Sequence, residues 1–441
     1  MVRRVFWTAI AGAALVASAS ADARKKVQLP PPPPPAPVIP QVRTGDAAVD
    51  AYYFHDRAGA PVWTRDDASR AAAMRVAEIL RRAPIDGLAE GPVLAATVQS
   101  ALAAGTLDDD ARISLAWLKY VRAIRAPVAG VEYGDPARML TAPTAKQVLG
   151  AVVAAPSPLA HVDQVASVNA FYSTLRDAAL ASDSAGDPHV RATLDRLRLV
   201  PGTGKVIIVD TANQRLMMVE NGNVAGSMKV IVGKLKSPTP GIAGTVHYVT
   251  LNPYWNIPMD VVQRRVAPTV IKRGVSYLKA ARYVTIDKWG ADAQPVDPSS
   301  VNWKAVAAGT EKVYLRQLPG VNNMMAHMKF GFANRFDIFL HDTPHRELFA
   351  KASRNLSMGC VRLEHAPDLA RWLLGTEPAT SDDAPEQQVA LTVGVPVYTL
   401  ALTANVDGGR IVYAKDVYGF DQPQSAQSAA VPGGAAADDG S

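Results

Sequence analysis

The hydrophobic residues of the first half of the chain recur at helical spacing. In ARISLAWLKYVRAIR, apolar side chains from Ile113 to Ile124 fall three or four residues apart and form one stripe. Asp66 is a helix-start residue in DDASRAAAMRVAEILRRA, which Pro84 ends, and VNAFYSTLRDAAL at 168–180 is a third amphipathic segment. We therefore predict a helical domain whose apolar stripes form a packed core rather than a cofactor site.

Beyond Pro201 the pattern changes to short runs of β-favouring residues separated by turn residues. Short strands joined by turns indicate an antiparallel sheet domain. A helical, basic segment at 259–282 interrupts the strands. The predicted fold class is α+β, with a helical domain before a mainly antiparallel sheet domain. The strand-like runs are KVIIVD, RLMMVE, SMKVIVG, TVHYVTLNPYW, KVYLRQLPG, FDIFLHD, VALTVGVPVYTL and RIVYAKDVYG.

The chain begins with a pattern typical of a secretory signal. Basic MVRR precedes the apolar run VFWTAIAGAALVA and the small residues SASADA. We predict a signal peptide at residues 1–23, cleaved after Ala19, Ala21 or Ala23. An uncleaved inner-membrane anchor is the alternative, although the run is shorter than the roughly 20 residues of a membrane span. We therefore expect an exported protein in the periplasm.

Two further segments have compositions that do not support a core. Residues 24–45 contain six consecutive prolines, which favour an extended polyproline II linker. Residues 422–441 are rich in Ala, Ser, Gly and Gln, which predicts a disordered tail. The folded part of the chain is therefore expected between them.

Composition and charge narrow the function classes. A hydrophobic fraction of 48% in 441 residues supports two or more packed domains. The net charge of +6 is spread along the chain with no basic stripe interleaved with aromatics, so nucleic acid is not an expected partner. The single cysteine, Cys360, cannot form an internal disulfide. In an oxidising compartment such a thiol is either buried or used.

The candidate chemistry concentrates in FDIFLHDTP and SMGCVRL. A cysteine nucleophile needs a base and donors for the oxyanion. His341 ends a strand pattern, and Gly359 permits a tight turn before Cys360. Arg362 would lower the pKa of the thiol or hold a substrate carboxylate. Because the chain has eight histidines, spacing alone leaves a buried, unreactive Cys360 open.

The motifs HDTPHRELF, RNLSMGCVRL and HAPDLARWLL resemble the active-site region of the L,D-transpeptidases with a YkuD-type catalytic domain, most closely the YcbB-like branch. The family pattern is a strand-end His, a spacer and Ser/Thr-x-Gly-Cys-x-Arg. The similarity extends through VIVGKLKSPTPG, LNPYWNIP, LRQLPGVNNMMAHMKF and VPVYTLALTANVDGGRIVYAKDVYGFD. FHDRAGAPVW, IDGL and NAFYSTLRDAAL resemble the scaffold domain of that branch. The residues on the family pattern are His341, Ser357, Gly359, Cys360 and Arg362.

The resemblance implies a domain organisation. It predicts a helical scaffold domain over 46–200 and a β-sandwich catalytic domain over 201–421. A helical insert at about 259–310 would cap the donor site. YcbB-like proteins often insert a peptidoglycan-binding module before the catalytic domain, and the spacing in this chain leaves no room for it.

The resemblance also implies acyl transfer in bacterial peptidoglycan, without a cofactor. Cys360 would attack the third-residue carbonyl of a tetrapeptide stem after His341 takes its proton, and D-Ala would leave. The thioester would pass to the diaminopimelate amine of another stem, giving a 3→3 crosslink; an envelope protein is an alternative acceptor. The N–H groups of Gly359 and Cys360 would bind the oxyanion. A backbone carbonyl near Asp342, in preference to its carboxylate, would orient His341.

One departure from the family pattern is Met358, which stands where many members have histidine. We expect altered contacts with substrate and retained catalysis, because the upstream histidine is present. The other residues considered for substrate binding have structural alternatives, a salt bridge for Arg362 and a turn for Ser357. The substrate-binding candidates are Arg362, Ser357, Met358, Asp342, Trp255, Arg316 and Asn322.

Other functions remain open at the level of sequence. The same acyl-enzyme resolved by water would make an L,D-carboxypeptidase or an endopeptidase. A catalytically inactive envelope-binding protein is a further alternative. No metal is expected, because His341-x-x-x-His345 with Asp342 lacks the Glu and third ligand of zinc motifs.

Overall fold

The computed structural model describes residues 39–290, 292–378 and 384–422. The predicted signal peptide, most of the proline-rich linker and nearly all of the predicted tail lie outside these residues. In the described ranges, none of the helices has both the length and the apolar composition of a membrane span.

The N-terminal half of the described chain is built from helices that begin where the sequence supplies caps. Asp66 accepts a hydrogen bond from the Ser69 N–H, and Thr106 forms a reciprocal capping box with Asp109. All three predicted amphipathic segments are helical, as α2, α4 and α7. The helices are α1 Ala47–Ala51, α2 Asp67–Arg82, α3 Gly91–Ala104, α4 Leu107–Ile124, α5 Ala145–Ala154, α6 Pro158–Ser167, α7 Ala170–Ala181 and α8 Pro188–Leu197.

The apolar stripe of α4 is buried, as its spacing predicts, and Ile113 and Trp117 are fully inaccessible. It packs with α2, α3 and α5 into one core. This half also contains one short strand, β1, at Val131–Tyr133. A three-residue strand shows no periodicity of its own, so it was not predicted from the pattern.

The C-terminal half is organised around one large sheet. Neighbouring strands run in the order β1-β5-β13-β2-β3-β4-β12-β10-β9, and β11 pairs with β4. The strands of this sheet after β1 are β2 Lys205–Asp210, β3 Arg215–Glu220, β4 Asn223–Gly233, β5 Gly241–Leu251, β9 Met328–Phe330, β10 Leu340–His341, β11 Asn355–Ser357, β12 Val361–Leu363 and β13 Gln387–Leu400.

The sheet closes on itself. Strand β9 pairs with β10 on one side and with β5 on the other, so the strands from β5 to β9 form a ring. Most pairs are antiparallel, but four are parallel: β13 with β2, β10 with β12, β1 with β5, and β11 with β4. Helix α13, Ala366–Leu374, packs its buried face into the same core. The predicted α+β class is confirmed.

A separate subdomain interrupts the ring between β5 and β9. Strands β6 Trp255–Asn256, β7 Tyr283–Ile286 and β8 Tyr314–Gln317 form its three-stranded sheet. Its own apolar core includes Val262, Val306 and Leu315, which are all fully buried. Its α-helices are α9 Met259–Val261, α10 Ala267–Arg273, α11 Ser276–Ala280 and α12 Trp303–Ala308, and a π-helical turn at Val262–Val266 joins the first two.

The last described residues return to the helical half. After the hairpin of β14 Ala404–Asp407 and β15 Arg410–Tyr413, the chain reaches Asp421. The carboxylate of Asp421 lies 2.5 Å from the Arg196 guanidinium, 2.6 Å from the Thr403 hydroxyl and 2.6 Å from His189 Nδ1. These contacts join the end of the described chain to helix α8.

Candidate active site

Three adjacent strands of the ring place the candidate residues. His341 on β10 is aligned with Lys329 on β9 and with Arg362 on β12. Aligned residues of paired strands project to the same face of a sheet. Cys360 immediately precedes β12, and its thiol is near enough to Lys329 and Arg362 for both charges to lower its pKa. The ring of Phe339 connects the group, since its centroid lies 5.7 Å from the His341 ring and 4.7 Å from Lys329 Nζ.

The strand that carries His341 is shorter than FDIFLHD predicts. Only Leu340 and His341 have strand pairing, because Asp337 has a φ of 53° and the Asn334 side chain accepts the Phe336 and Ile338 N–H groups. The residues before Leu340 therefore form a loop next to Cys360 instead of a continuous strand.

The environment of His341 defines its tautomer. Its Nδ1 lies 2.5 Å from the carbonyl oxygen of Asp342. A carbonyl only accepts hydrogen bonds, so Nδ1 carries the proton and Nε2 is left as the basic nitrogen. The Asp342 carboxylate is buried and binds Arg346 and the Thr343 N–H. The carbonyl, and not the carboxylate, orients the ring, as expected.

Burial keeps the resting pair neutral. Burial, assisted by the charge of Arg362, lowers the pKa of His341 to about 3. Burial raises the pKa of the Cys360 thiol to about 11, although the Phe339 N–H, Lys329 and Arg362 lower that pKa in part. The thiol donates to the Asp337 carbonyl at 3.6 Å. At neutral pH the site therefore holds a thiol and an imidazole, and no preformed ion pair.

The turn before Cys360 is held from both sides. Gly359 has a φ of 122°, and a Cβ at this position would lie 2.8 Å from Ile338 Cδ1. Its carbonyl accepts from the Thr239 hydroxyl at 2.6 Å, and its N–H donates to Ser357 Oγ at 3.1 Å. The Gly359 N–H was expected to bind an oxyanion. In this structure it donates to Ser357 Oγ instead.

The N–H of Cys360, by contrast, makes no hydrogen bond with the described residues. It is therefore a backbone donor that this turn leaves available next to the thiol. Ser357 lies inside the turn with its hydroxyl on Gly359, and Met358 is 52% exposed at the surface. The contacts of Ser357 fit the alternative that this residue shapes the turn.

Two cationic side chains lie near the thiol. Within the described chain, neither the Arg362 nor the Lys329 side chain forms a hydrogen bond or an ion pair; Lys329 contacts the ring of Phe339, and Arg362 Nε is buried without a partner. The structural salt bridge considered for Arg362 is not observed. Sequence reasoning missed Lys329, although a lysine between the buried residues Met328 and Phe330 was a usable signal.

The remaining candidates lie in the interrupting subdomain and the loop that follows it. Trp255 packs edge-on against Tyr283 at 6.4 Å. Arg316 stacks on Tyr254 and donates to the Gly290 carbonyl at 3.1 Å, while Asn322 is exposed. No hydrogen bond or ring contact between described residues joins these candidates to the face of His341 and Cys360. Among the same residues, no cluster of three His, Cys, Asp or Glu side chains suited to a metal ion is found.

Comparison with known proteins shows what this part of the chain is similar to. Residues 204–398 match the YkuD family, described as the L,D-transpeptidase catalytic domain. This region of the chain is therefore similar to an L,D-transpeptidase catalytic domain. Residues 47–178 match the family described as the scaffold domain. The matched region holds β2 to β12 and most of β13, and it includes Cys360 and the strand that carries His341.

The chain is also similar to individual known proteins. The chain is 30% identical over 234 residues to a putative L,D-transpeptidase of Haemophilus influenzae, a match that covers 52% of this chain and 47% of that protein. The chain therefore spans about half the length of the curated relative it matches. An L,D-transpeptidase from Mycobacterium smegmatis is 15% identical and covers 46% of this chain and 60% of its own, with a TM-score of 0.23. A mutant Enterococcus faecium L,D-transpeptidase is 13% identical and covers 46% and 51%, with a TM-score of 0.20.

Proposed function

We propose that this protein is an L,D-transpeptidase that forms 3→3 crosslinks in peptidoglycan through a thioester on Cys360. The observation that carries the proposal is the alignment of His341 on β10 with Arg362 on β12, the strand that begins directly after Cys360, within the region similar to the catalytic domain. The backbone-fixed tautomer of His341 supports it, since Nε2 is the atom that must accept a proton.

The first half-reaction transfers an acyl group to the enzyme. His341 Nε2 takes the Cys360 proton as the sulfur bonds to the third-residue carbonyl carbon of a tetrapeptide stem. The Cys360 N–H stabilises the oxyanion of the tetrahedral intermediate. When the intermediate collapses, the C–N bond to D-Ala breaks and His341 returns the proton to the leaving amine.

The second half-reaction releases the enzyme. The side-chain amine of diaminopimelate on another stem attacks the thioester and forms an amide, and the departing sulfur recovers a proton through His341. An envelope protein amine is an alternative acceptor. Arg362 and Lys329 stabilise negative charge on the sulfur, and Arg362 is also free to hold a stem carboxylate.

Finer assignments are part of the same proposal. We place the chain in the YcbB-like branch without the peptidoglycan-binding insert, with export to the periplasm by a signal peptide at 1–23. Supporting features are the scaffold match at 47–178 and the secretory pattern MVRRVFWTAIAGAALVA. The organisation is a scaffold domain over 46–200 and a catalytic domain over 201–421 with a capping insert at about 259–310.

The test is incubation of the purified mature protein with disaccharide-tetrapeptide, with products identified by mass spectrometry. A crosslinked dimer that lacks one D-Ala is expected. Tripeptide alone would assign a carboxypeptidase instead, and unchanged substrate would contradict both. An intact-mass adduct of a carbapenem on Cys360 is a second expected result.

Variants separate the nucleophile from the base. Cys360→Ala is expected to abolish D-Ala release, and His341→Ala to reduce it by about 10³-fold or more, since removal of a catalytic base costs about 10²–10⁴. His365→Ala is the matched control, because His365 is exposed in the same domain and makes no side-chain cap contact. Equal D-Ala release by the His341 and His365 variants would exclude His341 as the base.

A further inference from the structure

The loop at residues 331–339, between β9 and β10, lies directly beside Cys360. The Asp337 carbonyl of this loop accepts from the Cys360 thiol at 3.6 Å. On the other side of Asp337, Ile338 packs against Gly359, where an added Cβ would lie 2.8 Å from Ile338 Cδ1. In the described chain the loop residues belong to no strand, so their position depends on the contacts that they make. Whatever holds this loop therefore also sets the surroundings of the thiol.

A short segment of the helical half contacts the same loop from the far side. The backbone of Gly134 lies so close to the loop that a Cβ on Gly134 would overlap the Ala333 carbonyl. Two residues earlier, the Glu132 carboxylate lies 3.1 Å from Nε of Arg335. These contacts connect the region that is similar to the scaffold domain with the region that is similar to the catalytic domain.

The side chain of Asn334 makes the loop a rigid connection between these two ends. Its Oδ1 accepts from the N–H groups of Phe336 and Ile338 at 3.1 and 3.0 Å. Its Nδ2 donates to the carbonyls of Phe332 and Ile338 at 2.9 and 2.8 Å. Because Asn334 follows Ala333 directly, a displacement of Ala333 would be passed through these bonds to the residues that contact the thiol.

The segment that carries Gly134 is fixed independently of the loop. Strand β1, which contains Glu132, pairs in parallel with β5. Directly after Gly134, the Asp135 N–H donates to the Ala243 carbonyl at 3.3 Å, and the Asp135 carboxylate accepts from the Thr245 hydroxyl. A steric overlap at Gly134 should therefore move the loop and leave the segment in place.

We propose that Glu132 and Gly134 are positioning residues for Cys360, through which the helical half holds the loop at 331–339 against the thiol. A displaced loop would withdraw the Asp337 carbonyl and open the sulfur to solvent. The inference concerns the reactivity of the thiol itself, so it does not depend on the substrate or acceptor in the proposed function.

The test measures the rate at which iodoacetamide alkylates Cys360 in the full mature protein, by intact mass over a pH series. Gly134→Ala is expected to speed alkylation at pH 7 about tenfold, because relief of burial lowers the pKa of the thiol. D-Ala release should fall about tenfold or more, since the nucleophile is no longer held in place. The φ of Gly134 lies outside the left-handed region, so the overlap with Ala333 is the effect that alanine introduces.

The ion pair of Glu132 and Arg335 gives a second test that does not disturb packing. The two side chains have opposite charges, so a direct electrostatic effect on the thiol would make Glu132→Gln speed alkylation and Arg335→Gln slow it. Loss of a shared anchor instead predicts that both variants speed alkylation at pH 7. We expect about two- to threefold for each, because an exposed ion pair contributes little, and no further increase in the double variant.

Gly91→Ala is the matched control for Gly134→Ala. A Cβ on Gly91 would overlap the Leu80 carbonyl between α3 and α2, in the same half of the chain but outside the contact with the loop. This variant should lose stability and keep the alkylation profile of the wild type, measured where it is folded. If Gly134→Ala does not fold, the exposed pair of Glu132 and Arg335 decides the question.

Three outcomes would overturn the inference. These are an unchanged alkylation profile in folded Gly134→Ala, equal acceleration by Gly91→Ala, and opposite changes in Glu132→Gln and Arg335→Gln. Wild-type protein that releases no D-Ala, while the variants alter alkylation as expected, would contradict the proposed function and support the positioning role.

Discussion

Cys360 and His341 show how burial and charge act in opposite directions on single side chains. The cations Lys329 and Arg362 favour a thiolate, but they also disfavour an imidazolium on the neighbouring ring. Burial is the larger cause for both groups and favours their neutral forms. In the proposed reaction the proton would therefore move during attack, when the carbonyl of a bound substrate takes up the charge of the sulfur.

This electrostatic state predicts the pH dependence of thiol alkylation. With the pKa of Cys360 raised to about 11, the thiolate fraction is small at neutral pH and grows with rising pH. We expect the rate of alkylation by iodoacetamide to increase about tenfold per pH unit from pH 7 to pH 10. The measurement is intact mass against time over this pH series.

The same protein unfolded in denaturant provides the control. Its alkylation rate should level off above a pH of about 8.5, the ordinary pKa of a cysteine thiol. Arg362→Met should slow alkylation of the folded protein further, since it removes a charge that favours the thiolate. If the alkylation rate of the folded protein also reached a plateau near pH 8.5, burial would not have raised the pKa of Cys360.

At the level of elements, the connection between β4 and β5 supports the turn between β11 and β12. The Thr239 hydroxyl accepts from the Gly233 N–H at 2.9 Å and donates to the Gly359 carbonyl at 2.6 Å. Thr239 is fully buried, so no water can replace either bond without a rearrangement. The turn that precedes Cys360 is thus hydrogen-bonded to a strand connection more than a hundred residues earlier in the chain.

Thr239→Val is therefore expected to reduce both stability and D-Ala release. Loss of the hydroxyl leaves buried backbone groups unpaired, which costs about 1–3 kcal/mol for each. A displaced turn at Cys360 should lower the rate by about a hundredfold. Chemical denaturation and the tetrapeptide assay measure the two effects.

Thr399→Val is the matched control, because Thr399 is fully buried and bridges the Ile242 N–H and the Pro240 carbonyl in the same way, outside the turn. It should lose similar stability and keep its activity at a temperature where both variants are folded. Equal loss of activity in both would assign Thr239 a purely structural role.

Local patterns predicted the elements that depend on local sequence. The stripe in α4, the cap of α2 and the strands β2 and β3 follow from residue spacing and turn chemistry. The closure of the ring did not follow, because it depends on pairings such as β13 with β2 between segments almost two hundred residues apart. No periodicity within one segment carries that information.

The site shows the same division. Cys360, His341 and Arg362 could be predicted from the sequence, because their motifs lie close together and match a family pattern. Lys329 and Thr239 were not selected, because their proximity to the nucleophile arises from strand register and from the approach of two loops. The engagement of the Gly359 N–H by Ser357 also required the geometry of the folded turn.

At the scale of the whole molecule, the contacts of Asp421 join the two halves of the described chain. Its side chain is 7% exposed and pairs with Arg196, whose side chain is 11% exposed and also donates to the Ala401 carbonyl. Helix α8 of the N-terminal half is thereby attached to residues that follow the last strand of the ring.

Asp421→Asn is expected to lower the unfolding temperature by several degrees. Removal of the negative charge leaves a buried guanidinium uncompensated, and loss of one partner of a buried pair costs about 3–5 kcal/mol. Differential scanning calorimetry measures the shift. Asp407→Asn, at an exposed acid of the nearby hairpin, should leave the unfolding temperature unchanged. A negligible shift for Asp421→Asn would mean that the pair contributes little to holding the halves together.

The position of β13 in the ring sets the timing of folding. Strand β13, residues Gln387–Leu400, lies between β2 and β5, and it is the last of the ring strands to be synthesised. Until it arrives, β2 and β5 each have an open edge, and such edges pair readily with other chains. The ring can therefore close only after residue 400 has emerged from the ribosome. A nascent chain that already carries Cys360 remains an open, aggregation-prone intermediate until then.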